Sequence, residues 1–238
     1  MKSKIAELIK LSNHPVAILQ SDVPIEADVI PKEGIWSCVA GMVVAVTRGK
    51  SVMYYLENTG CLGGKTGLGF QDYPHGWIEN YLSDGGGKLE DSEYYKKSVE
   101  HACAFIDGIK RTDGKKYTIM KPLESVTEED KPLAVIFLVN ADQLSALATL
   151  ANYDTMTQDN VKMLFGAGCT QSILYPMEEE RSGGTHCFIG MTDPSARKCL
   201  DKDLLAFSMP FSRFLALENE AENSFLTKAT WQKISARI

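Results

Sequence analysis

Leu133-Ala-Val-Ile-Phe-Leu-Val139 is apolar at every position, with Pro132 before it and Asn140-Ala-Asp142 after it. A short apolar run between a proline and helix-starting residues reads as a strand buried in a sheet. Pro15-Val-Ala-Ile-Leu19 has the same character on a smaller scale. Residues 51–57, 117–123, 187–191 and 204–209 add shorter strand-like runs. Helical patterns surround them: 1–13 up to His14-Pro15, 35–46, 76–82, 90–108, 142–151, the turn 193–198, and the region after Pro210. Asp84-Gly85-Gly86-Gly87 reads as the stop of the 76–82 helix. This order predicts an α/β or α+β fold with a mixed sheet, in one domain over 1–238 with a helical tail over 223–237.

The two proline-led runs carry an echo. Pro15 and Pro132 are 117 residues apart, Cys38 and Cys169 are 131 apart, and Cys61 and Cys187 are 126 apart. The order is the same in both halves. We therefore expect two related halves, about 10–115 and 116–220, around a pseudo-twofold axis that would bring cysteines of both to one centre. Duplication and coincidence both remain open at this level.

Charge narrows the partners. With 31 acidic and 25 basic residues the formal charge is −6, which disfavours a broad nucleic-acid surface. Lys2 and Lys4 precede Ile5, Leu8 and Ile9 at helical spacing, and the apolar runs are too short to span a bilayer. A cytoplasmic protein without membrane or nucleic-acid partners is expected. In a reducing compartment its six cysteines are free thiols, metal ligands or reactive groups rather than disulfides. No CxxC pair occurs.

Asn58-Thr-Gly-Cys-Leu-Gly-Gly-Lys-Thr-Gly-Leu-Gly69 is the most unusual segment and reads as a glycine-rich loop. Three readings compete. A phosphate loop needs four residues between its first Gly and Gly-Lys-Thr; Gly60 leaves three before Gly64-Lys65-Thr66. A cluster loop would use Cys61 as ligand and backbone N–H groups toward its sulfur. A tight structural connection would leave Cys61 as a small packing residue.

Cys38 and Cys169 lie among small residues, which leave room for a cofactor or allow close helix packing. Cys187 follows His186, Cys103 reads as a core thiol, and Cys199 sits beside Lys198. His75 is the histidine best placed for a site, next to the glycine-rich segment. Asp193-Pro-Ser-Ala-Arg197 reads as a capping or ion-pair element, with anion binding by Arg197 as the alternative. Trp36, Trp77 and Phe70 are expected at a pocket or dimer surface. No HExxH or GxSxG context is present.

Pro15-Val16-Ala17, Cys38 in its small-residue helix, Cys61-Leu-Gly-Gly-Lys-Thr-Gly-Leu-Gly69 and the late Pro210 together resemble the domain of unknown function 169 (ArCR) family over roughly residues 10–220. The resemblance implies one fold over that span and importance for Cys38 and Cys61, without a reaction. A later Cys-x-Gly-x-Arg stretch is common in that family. Here Cys187-Phe-Ile-Gly190 is followed by arginine only at Arg197, which leaves Cys187 in question.

The leading expectation is a cofactor-binding protein in which Cys38, Cys61, Cys169 and Cys187 hold an iron–sulfur cluster for electron transfer to a partner. The alternative is a metal-free protein binding a small molecule or anion through Gly60, Gly63, Gly64 and Lys65. A thiol-redox role for Cys61 is a third. A homodimer is among the expected assemblies, and whether the chain is an enzyme is left open.

Overall fold

The structure is a computed structural model and describes residues 1–84 and 92–238. Its centre is a mixed seven-stranded sheet in the order β2-β3-β1-β4-β7-β6-β5. The strands are β1 (Val16–Ser21), β2 (Val52–Tyr54), β3 (Tyr117–Pro122), β4 (Ala134–Val139), β5 (Val161–Lys162), β6 (Cys187–Gly190) and β7 (Leu205–Pro210). Among the described residues ten α-helices accompany them: α1 (Lys4–Leu8), α2 (Val39–Thr47), α3 (Leu62–Gly67), α4 (Ile78–Leu82), α5 (Val99–Asp107), α6 (Ala141–Leu150), α7 (Tyr175–Arg181), α8 (Pro194–Arg197), α9 (Phe211–Glu220) and α10 (Ala229–Ser235). The fold is α+β.

β1 and β4 pair antiparallel at the middle, with Ala17 opposite Val135. Outward from β1 lie β3 and then β2; outward from β4 lie β7 and then β6. All these neighbours are antiparallel, and only β5 joins β6 in parallel. β1 pairs with β3 so that Val16 faces Pro122, and β4 pairs with β7 so that Ala134 faces Pro210.

Alternation along the strands builds two cores. Ala17, Leu19, Val135, Phe137, Phe207 and Met209 face one side, covered by Ile5, Leu147, Leu150, Phe214, Leu217 and Trp231 from α1, α6, α9 and α10. Val16, Ile18, Ala134, Ile136, Leu138 and Ala206 face the other. That side is covered by Val39, Ala40, Val43 and Val46 of α2, by Ile173 and Leu174, and by Met177 of α7. A smaller cluster of Tyr73, Ile78, Leu82, Ala102 and Ile106 packs α4 on α5.

Helix ends explain where expected bounds shift. Lys10 takes a left-handed backbone, φ 55°, so α1 ends far short of residue 13. The expected helix over 90–108 starts only at Val99, because Ser98 caps it through the His101 N–H. Asn140 and Gln143 form a reciprocal capping box that starts α6 directly after β4. The glycine-rich segment is a correction: Leu62–Gly67 is a helix, entered through Cys61 as N-cap. The Gly85-Gly86-Gly87 stop lies outside the described residues. Among the described residues no helix is long and apolar enough to cross a membrane.

Candidate functional site

Three of the four cysteines proposed as ligands reach one cavity. Two stand just before a helix with extended backbone, and the third lies within the first residues of a helical segment. Cys38 is the N-cap of α2 and Cys61 the N-cap of α3. Cys169 precedes a π-helical turn, Thr170–Leu174, that leads into α7. Such π turns recur at functional sites because they shift side chains off the regular helical phase.

Close packing sets this convergence. A methyl group on Gly67 would lie 2.5 Å from the Cys169 sulfur, so α3 can approach the Cys169 turn only with glycine there. Gly60 is equally constrained, since a Cβ would meet the Ile35 carbonyl oxygen at 2.5 Å. Glycine is a poor helix former, yet α3 exists because these approaches leave no alternative residue.

The cavity is about 460 Å³, within the range of small-molecule and cofactor sites. Cys38, Cys61 and Cys169 line it together with Gly60, Gly63, Gly168 and Asp193. Tyr73, Trp77, Tyr81, Phe105 and Phe165 supply an aromatic wall, and Trp36 stands at its edge with the Lys198 ammonium 5.7 Å from its ring. Phe70, grouped with Trp36 and Trp77 from sequence, does not line it.

Cys61 Sγ accepts the Gly64 N–H at 3.4 Å. The Cys169 thiol points its Sγ at the Gly63 carbonyl oxygen, also at 3.4 Å. Burial pushes both thiols up from their ordinary value, Cys169 strongly, and the acidic groups gathered around them push the same way. For Cys61 the Gly64 N–H opposes this. Tyr54 and Tyr73 stand beside these thiols and are likewise raised by burial. An apolar site that gathers acidic groups disfavours their charged forms unless a cation joins them.

Asp193 is the residue that sequence reasoning undervalued. Its Oδ1 caps α8 through the Ala196 N–H at 3.0 Å and accepts from Ser195. Its Oδ2 is buried with no hydrogen-bond partner. Arg197 is not its ion-pair partner; that guanidinium turns to the carbonyls of Asp201, Lys202 and Leu204. The available signal was position: Asp193 precedes α8 after β6 as Cys61 precedes α3 after β2.

Cys187 does not come to the cavity, which corrects the four-cysteine convergence. It lies on β6 with its side chain in the opposite core, fully buried beside Arg213. Burial pushes its thiol up to about 12, with Arg213 opposing. Alternation sends position 187 of the strand to that face. Gly64 and Lys65 are also absent from the lining: a Cβ on Gly64 would press on Val39, and Lys65 lies in the last turn of α3. Of the other cysteines, Cys199 neighbours Cys38 and is raised by burial to about 11. Cys103 is on α5, half-buried.

The cavity thiols and the Asp193 carboxylate do not gather as closely as the shell of a single ion would. Among the described residues the one group of three or more ligand atoms within 4.8 Å of one another is His75, Glu79 and Cys103, on the α4 and α5 side. A tetrahedral zinc site would hold thiolates about 3.8 Å apart.

A family model described as DUF169, uncharacterised ArCR, matches residues 4–220. No curated protein and no solved structure matches. The match takes in every strand of the sheet and all the cavity residues, and the chain belongs to the domain of unknown function 169 (ArCR) family.

Proposed function

We propose that the cavity holds an iron–sulfur cluster through Cys38, Cys61 and Cys169, with Asp193 at its fourth corner, and that the protein moves single electrons. The observation that carries this reading is the meeting of three thiols from three separate segments with a buried, unpartnered carboxylate oxygen in one cavity. Four ligand positions suit a cubane cluster, whose iron would neutralise the acidic groups that the apolar walls penalise. The Gly64 N–H on Cys61 Sγ is the kind of contact that tunes a cluster's potential. An oxygen ligand holds iron less firmly than a thiolate does, so the Asp193 corner would be the exchangeable one.

The paired arrangement belongs to the same proposal. A duplication whose first half runs on through β3, beyond the break expected at 115, would explain why the sheet reads alike outward from β1 and from β4, and why Cys38 and Cys169 lie at the starts of helical segments on one face. In that scheme Asp193, rather than Cys187, is the counterpart of Cys61.

A second reading, a metal-free small-ligand site, draws on the aromatic wall and on Lys198 as the cation at its edge. It no longer draws on Lys65. Thiol-redox chemistry at Cys61 is disfavoured, since reactive thiols have lowered pKa values and this one is raised.

The deciding experiment is anaerobic purification with iron and sulfide analysis and an absorbance scan. The cluster reading expects about four irons per chain and a broad band near 400 nm. It further expects Cys61→Ala to lose the iron and Cys187→Ala to keep it. A folded chain that remains free of iron and sulfide after reconstitution would overturn the reading in favour of the metal-free ligand site.

A further inference from the structure

The α4–α5 pair carries a second group of ligand-bearing side chains, outside the cavity lining. His75, Glu79 and Cys103 each bring one nitrogen, oxygen or sulfur atom within 4.8 Å of the others. His75 precedes α4, Glu79 is on α4 and Cys103 is on α5. An independent feature marks the group as incomplete. Glu79 is 8% exposed; its Oε1 accepts the Gly76 N–H at 2.7 Å, and its Oε2 is buried with no partner at all. A buried carboxylate oxygen left bare is costly, and a bound cation is one way to satisfy it.

The surroundings fit a metal. Asp107, one turn after Cys103 on α5, lies 3.2 Å from His75 Nε2. A metal-ligating histidine ordinarily keeps such a carboxylate beside it, fixing the ring. The set of one imidazole, one carboxylate and one thiolate suits a borderline divalent ion of the zinc class and not a hard ion such as calcium.

We propose that His75, Glu79 and Cys103 form a site for one divalent transition-metal ion that clamps α4 to α5. The clamp has mechanical work to do. α4 is five residues long, its N-cap Trp77 makes no capping bond, and a helix that short is not stable alone. It is held to α5 by a small apolar cluster. Trp77, Ile78, Tyr81 and Leu82 on one side and Phe105 on the other are cavity wall, so an ion behind them fixes the shape of that wall. The proposal does not rest on the iron–sulfur reading.

The test is a titration of chelator-treated, reduced, full-length protein with Co2+, read by the near-ultraviolet thiolate-to-cobalt band. The expected result is saturation at about one ion per chain. The combined Cys38→Ser, Cys61→Ser, Cys169→Ser variant, which removes the cavity thiols, should keep one ion and its band, and adding Cys103→Ser to that variant should abolish the band. In the same triple-serine background His75→Ala, an exposed change that spares the core, should weaken Co2+ binding at least tenfold with the circular dichroism spectrum unchanged. Absence of a thiolate band in the folded wild-type protein overturns the proposal. So does a band that survives Cys103→Ser in the triple-serine background, or a His75→Ala change that leaves Co2+ binding as tight in that background. Iron analysis of the Cys103→Ser single variant reads the cavity separately, so either proposal can fail alone.

Discussion

The two faces of the sheet use cysteine in opposite ways. On one, Cys187 is enclosed by apolar neighbours and by Arg213, and the space around it is filled. On the other, Cys38, Cys61 and Cys169 border a cavity that no side chain fills. Polar groups differ in the same sense. The charge of Arg213 on the closed face, 5% exposed, is paired: its two terminal nitrogens bond both oxygens of Asp154 and the Ala151 carbonyl, and its Nε alone has no hydrogen-bond partner. Asp193 on the cavity side is 6% exposed and keeps one oxygen bare. Residue type therefore says less than what the surroundings leave undone: a buried thiol in a completed core packs, and several around an unfilled space invite a ligand.

The largest expected effect tests the closed face. Arg213→Met removes a buried charge that holds Asp154 and strips the Ala151 carbonyl of a donor. Breaking such a pair costs about 3 kcal/mol, read as a lower denaturant midpoint at unchanged slope. Iron content should not move. A loss of iron in this variant would mean that the faces are coupled and that the comparison above is wrong. Next comes Gly67→Ala on the cavity side. Its methyl would sit 2.5 Å from Cys169 Sγ, so α3 and the Cys169 turn must separate. Overpacking of this kind costs about 2 kcal/mol, and here a thermal melt should fall together with iron content. A drop in stability with iron intact would show that the thiol geometry tolerates the shift.

Much of the first face and little of the second was legible in the sequence. β4 was visible because all its positions are apolar, and the helix-starting residues Asn140-Ala-Asp142 announced α6. Local chemistry also marked Pro210 as the end of a strand. The cavity depends on tertiary placement. Cys38, Cys61 and Cys169 could be picked out by their small neighbours, yet their meeting is produced by α3 lying on the Cys169 turn. Cys187 matched the internal spacing and still went elsewhere, because strand alternation sends position 187 to the opposite face. Asp193 was hidden by an adequate local explanation, since Asp before Pro is a good helix cap and only the burial of its second oxygen shows more. The helix over Leu62–Gly67 was missed because propensity opposes it and packing overrides propensity.

pH separates the faces with a smaller effect. The Arg213 hydrogen bonds and charge hold the Asp154 carboxyl below the usual carboxylate range, against a lesser opposing effect of burial. The unfolded chain therefore binds the proton first as pH falls. Stability from this pair is fully present above the ordinary carboxylate pKa and is lost as pH drops through the lower folded value. Asp154→Asn should flatten the acid limb of a stability–pH curve while leaving iron content alone. An acid limb identical to wild type would show that Asp154 does not report on the closed face.

The smallest expected effect concerns Lys65, which the glycine-rich segment presented as an anion ligand. It stands in the last turn of α3, where a positive charge suits the helix dipole, and the cavity wall does not include it. Lys65→Ala should change stability by less than about 0.5 kcal/mol, as surface substitutions do, and leave iron content and cavity-ligand binding at wild-type levels. Lys198→Ala provides the contrast: its ammonium lies at the cavity beside Trp36, so it should weaken any anionic cavity ligand. If the two results came out reversed, with Lys65 needed and Lys198 dispensable, the binding surface would lie on the outer turn of α3. The thiols around the cavity would then be packing residues like Cys187, and the contrast between the faces would disappear.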